Sequence, residues 1–109
     1  MAEVRQGRLR DAGEAPLRGE TIEALVTVPG FSAEQILSGE LESVAEYRQD
    51  HDEWVVVLVG SAALTVDGTS VELSAGSWLL LPRGVTHRLV STEPGTSWLA
   101  LRGPASEAR

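Results

Sequence analysis

A chain of 109 residues suits one domain. It has no cysteine, which excludes disulfides, thiolate metal sites and thiol nucleophiles, and its net charge of −7 with arginine as its only strong base repels phosphate backbones, so no nucleic-acid partner is expected. The longest apolar run, Trp54 to Val59, falls far short of the ~20 residues that span a bilayer, and the opening Met-Ala-Glu-Val-Arg-Gln has no signal core behind it, so no membrane contact is expected and the cytoplasm is the expected compartment.

Residues 1–20 carry Gly7, Gly13, Pro16 and Gly19 among scattered charges with no surviving period, and read as an N-terminal arm. From Ile22 the texture turns β-rich. Ile22 to Val28 stops at the turn pair Pro29-Gly30, and Ala33 to Ser38 is a second, weaker strand ended by Gly39. Glu42 to Gln49 is mixed enough to form a strand or a helix. Asp50-His51-Asp52 reads as a solvated hairpin tip before the clearest strand in the chain, Glu53 to Val59, which Gly60 ends. Ser61 to Val66 and Thr69 to Leu73 flank Asp67-Gly68, a pair suited to the positive φ of a type I′ hairpin turn. Ser77 to Leu81, His87 to Ser91 and Ser97 to Arg102 complete about nine short strands, and a polar tail follows from 104 to 109.

Nine short, evenly spaced strands without a long helix predict an all-β antiparallel sandwich or barrel over 21–103. Trp54 to Val59 and Trp78 to Leu81 are apolar on both alternating faces. One face can line a barrel; the other needs a cover, from the arm or from a second subunit, and a homodimer is expected. Trp54 and Trp78 are expected on that outer face, and Phe31 in the core.

The most informative stretch runs from Gly76 to His87. An apolar strand leads into the bend at Pro82 and Gly84, which delivers an imidazole onto the next strand. His87 suits a metal ligand or a general base. Glu53 opens the most apolar strand and shares a face with Val55, Val57 and Val59, so it points inward. A buried carboxylate needs a cation. Arg83 or Arg88 offers one; a metal ion shared with His87 offers another. His51, between two aspartates, reads as a surface residue.

These turn signals resemble those of the small single-domain cupins, the RmlC-like jelly rolls. The second cupin motif runs Gly, five residues, Pro, any residue, Gly, two residues, His, three residues, Asn. Gly76, Pro82, Gly84 and His87 fall on it, with Ser91 in place of the asparagine. The first motif ends in Glu, six residues, Gly, which Glu53 and Gly60 match. Where that motif carries two histidines this chain has Tyr47 and Gln49, and Gly39 is displaced by two residues.

The resemblance implies a double-stranded β-helix (jelly-roll) barrel with a site in its mouth. It implies a divalent metal on Gln49, Glu53 and His87, with Tyr47 and His87 as the proton-moving, catalytic pair. One nitrogen and two or three oxygens suit zinc, nickel or manganese alike. The implied partner is a small molecule: a substrate for Lewis-acid or acid–base chemistry, or a ligand that is bound and not turned over. A dimeric interaction module with a vestigial pocket is the remaining reading.

Overall fold

In the computed structural model, which describes residues 3–104, aliphatic and β-branched runs cut by glycine turns form nine strands. They are β1 (Glu20–Val28), β2 (Phe31–Ser38), β3 (Ala45–Arg48), β4 (Glu53–Val59), β5 (Ser61–Val66), β6 (Thr69–Ser74), β7 (Trp78–Leu81), β8 (Thr86–Thr92) and β9 (Thr96–Arg102). One 3-10 turn, Ala12–Glu14, interrupts the arm, capped by the Asp11 side chain. The strands make two sheets with every neighbouring pair antiparallel, ordered β1-β2-β9-β4-β7 and β3-β8-β5-β6.

The mixed stretch 42–49 yields the short strand β3 and no helix. Its apolar Ala45 and aromatic Tyr47 gain a partner in β8, and tertiary pairing decides what local propensity left open. Asp50–Asp52 is not a hairpin tip. It carries the chain from β3 in one sheet to β4 in the other. His51 is less solvated than its polar neighbours suggest: its Nδ1 lies 3.2 Å from Asp50 Oδ1, and its Nε2 is buried. The hairpin at Asp67-Gly68 forms as the sequence predicts, with φ of 49° and 81°.

Between the sheets Val55, Val57, Trp98 and Ala100 meet Ala62, Leu64, Leu73 and Leu89. Each such leucine or valine contributes roughly 1.5–3 kcal/mol on burial. Phe31 lies outside this core. It starts β2 beside a tight turn and stays about half exposed.

The outer face of the larger sheet is covered by the arm over one half and open over the other. Over β2 and β9 lies the arm, docked on Gln35. The Arg10 backbone N donates to Gln35 Oε1 (2.8 Å), while Gln35 Nε2 donates to Arg10 O (3.0 Å) and Ser97 Oγ (3.0 Å). Nearer the body, Glu40 N donates to Leu17 O and Gly19 N to Glu40 O. Over β4 and β7, Trp54 and Trp78 pair with their ring centroids 6.2 Å apart, on the outside as the alternation predicts, and Trp78 is 62% exposed. Among the described residues no helix is long and apolar enough to cross a membrane.

Candidate functional site

The bend that precedes β8 explains where His87 points. Pro82 sets its own φ, Gly84 takes φ of +83°, and Val85 N closes the turn on Pro82 O at 3.2 Å. His87 is then the second residue of β8, faces inward, and is 6% exposed. Tyr47 sits directly opposite across the β3–β8 pair, and the two rings stack with centroids 5.4 Å apart and planes 25° apart. The buried Nδ1 of His87 has no hydrogen-bond partner.

Glu53 faces the same space from the other sheet. Alternation turns it inward with Val55 and Val57, as the sequence predicts, and it is 5% exposed. Its ion-pair partner is Arg102 and not Arg88. Arg88 lies on the outward face of β8, beside Glu46 at 3.5 Å. Arg102, the register partner of Glu53 across β4–β9, donates from Nε to Glu53 Oε2 at 3.0 Å. The same guanidinium places Nη2 2.7 Å from Glu34 Oε1, so one positive charge serves two carboxylates.

Gln49 follows β3 and is pinned by its backbone, whose carbonyl accepts from Gly84 N at 2.9 Å. That bond ties the loop carrying Gln49 to the bend that aims His87. Tyr47, Gln49, Glu53 and His87 all line one cavity of about 100 Å³, whose remaining wall is mostly apolar and includes Ile36, Leu64, Leu89 and Trp98. Three residues of this wall escaped the sequence reading. Arg102 is one. Trp98 is the second: its Nε1 donates to Ser38 Oγ (3.1 Å), and Ser38 in turn donates to the third, Glu20, at 2.5 Å. Glu20 is exposed and so stands at the rim. Partial burial, together with the charges of Glu20 and Glu53, pushes the Tyr47 phenol above its ordinary pKa and keeps it a neutral hydrogen-bond donor.

The donor set fits a tightly held divalent cation poorly. Among the described residues no three His, Cys, Asp or Glu side chains gather as a metal cluster. Of the two such groups in the expected set, Glu53 already has its charge matched by Arg102. Gln49 adds only a neutral carbonyl.

Two facing antiparallel sheets, with an imidazole and a carboxylate meeting in the cup between them, define a jelly roll of the cupin class. The chain belongs to the cupin domain family, whose sequence pattern matches residues 34–100. Among solved structures it is similar to a candidate mannose-6-phosphate isomerase from Ralstonia eutropha JMP134, at 28% identity and a TM-score of 0.75 over 91% of this chain and 100% of that one. It is also similar to KdgF from Halomonas sp., at 20% identity and a TM-score of 0.70 over 82% of each chain. An RmlC-like cupin from Shewanella frigidimarina NCIMB 400 matches at 20% identity and 0.66 over 94% and 95%. No curated protein matches the chain.

Proposed function

We propose that the chain is a small-molecule-binding cupin whose ligand sits in the cavity between Tyr47, Gln49, Glu53 and His87. The observation that carries this reading is the convergence of Tyr47, Gln49, Glu53 and His87 on the wall of one otherwise mostly apolar cavity. An apolar pocket with a few convergent polar groups is the usual form of a small-molecule site. In the test, isobutanol at millimolar concentration shifts the Trp98 indole and His87 ring resonances, and the plugging variant Leu64→Phe removes the response. Unshifted resonances with isobutanol and with its ammonium and carboxylate analogues alike overturn the reading.

The stack of Tyr47 on His87 favours acid–base work as a second reading. The neutral Tyr47 phenol would give a proton to a ligand oxygen and the His87 imidazole would take one. The name of the Ralstonia relative does not carry its substrate along. A sugar phosphate brings a dianion, and the arginine of this cavity is shared between two carboxylates.

A divalent cation on Gln49, Glu53 and His87 is the alternative occupant, and it requires Glu53 to release Arg102. That alternative predicts stoichiometric zinc, nickel or manganese on untagged protein, and tighter uptake in Arg102→Gln. The organic-ligand reading predicts substoichiometric metal in both proteins by elemental analysis.

The exposed Trp78 and Leu80 on the outer face of β7, with Trp54 beside Trp78, support a homodimer, because exposed apolar side chains gathered on one face mark an association surface. Sedimentation of Trp78→Glu tests it: the variant should run as a monomer where the parent runs as a dimer.

A further inference from the structure

We infer that the cup is built for a compact, apolar molecule that is neutral or positively charged, and that it rejects carboxylates and phosphates. This rests on the ligand-site reading above and assigns that ligand's size and charge.

Size comes first. A cavity of about 100 Å³ is well below the roughly 300–1,000 Å³ of sites for drug-sized ligands. It admits a body of only a few heavy atoms, set against Ile36, Val55, Leu64 and Trp98.

Charge is the sharper constraint. Among the described lining residues Glu20 and Glu53 bring carboxylates, and Arg102 brings the strong base. Arg102 is already engaged, by Glu53 at 3.0 Å and by Glu34 at 2.7 Å. One positive charge against these two carboxylates leaves a negative excess before Glu20 is counted. An entering anion adds a further negative charge beside a guanidinium already shared by two carboxylates, in a medium that screens poorly. An ammonium or hydroxyl group adds none. Either can donate to Glu20 or to a free lone pair of Glu53, and a hydroxyl can also accept from Tyr47.

The test is a resonance titration of the full chain with three probes on one carbon frame, isobutylammonium, isobutanol and isobutyrate, at fixed ionic strength. The Trp98 indole and His87 ring signals are the readout. Isobutylammonium should bind at least about tenfold tighter than isobutyrate, a difference of roughly 1.4 kcal/mol. In Glu20→Gln, a rim change that leaves the Arg102 pairs in place, that ratio should fall about twofold to fivefold. A smaller ratio in the parent protein, or an unchanged one in Glu20→Gln, overturns the charge assignment while leaving the pocket reading standing. Silence from all three probes overturns both.

Discussion

Glu53 and Arg102 lie 49 positions apart in the chain and directly opposite each other across β4 and β9, joined by a 3.0 Å bond from Nε to Oε2. This cross-strand pair fixes the electrostatics of the cup, because it supplies Glu53 with a counter-charge that comes from the protein itself.

Removing the guanidinium should therefore cost stability. Arg102→Gln leaves the nearly buried Glu53 without its cation. Because the Arg102 side chain is one-third exposed, the expected loss is about 1–3 kcal/mol, below the range for fully buried pairs. Chemical denaturation measures it. Adding Glu53→Gln should recover part of the loss, since two neutral amides have no unpaired charge between them. A double variant no more stable than the single would mean that Arg102 acts through packing.

The Tyr47 phenol offers an isolated titration. It is the chain's one tyrosine, and there is no lysine or cysteine to overlap it. Burial and the charges of Glu20 and Glu53 raise its pKa, so tyrosinate absorbance should appear at a higher pH in folded protein than in denaturant. The folded state then holds its proton more tightly than the unfolded state. Stability from this group is intact below about pH 10, the unfolded value, and is lost as pH rises through the folded one. Tyr47→Phe should flatten that alkaline decline, and Glu20→Gln should move the absorbance midpoint back down.

Much of the cup was legible in the chain because short-range rules govern it. Alternation along Glu53–Val59 turned the carboxylate inward, and the Pro82–Gly84 bend set His87 at the head of a strand. Arg102 was not legible. Its role depends on which strands are neighbours, and β4 pairs with β9 across nearly half of the chain's length. Trp98 and Glu20 were missed for the same reason: they enter the wall through Ser38, on a strand that is remote in sequence from Trp98. Asp50–Asp52 misled because polar residues between two strands look alike whether the chain reverses within one sheet or crosses to another.

One buried amide anchors the middle of the arm. Gln35 is 1% exposed and meets both the N–H and the carbonyl of Arg10. Gln35→Ala leaves those backbone groups and Ser97 unpaired at a covered surface, at a cost of about 1–3 kcal/mol. Local release should be the cheaper response, so the expected signs are faster amide exchange over residues 5–12 and faster tryptic cleavage after Arg8 and Arg10, with the barrel unchanged. Equal loosening of arm and barrel would show that the arm is an integral part of the folding unit.

Gly60 and Gly68 separate two ways in which a glycine is required. Both take positive φ, 91° and 81°. A methyl group on Gly68 would meet open space, so Gly68→Ala should cost only the left-handed strain of roughly 1–2 kcal/mol. On Gly60 it would come within 2.3 Å of Thr96 Oγ1 and 2.9 Å of Thr96 Cα. Thr96 is fully buried, and its hydroxyl is committed to the Ser61 and Glu93 backbones, so it has little room to yield. Gly60→Ala should therefore destabilise clearly more than Gly68→Ala in parallel denaturation curves. It should also disturb the step from β4 to β5, where the chain leaves one sheet for the other. Equal losses would mean that Thr96 moves aside and that backbone strain alone holds the position as glycine.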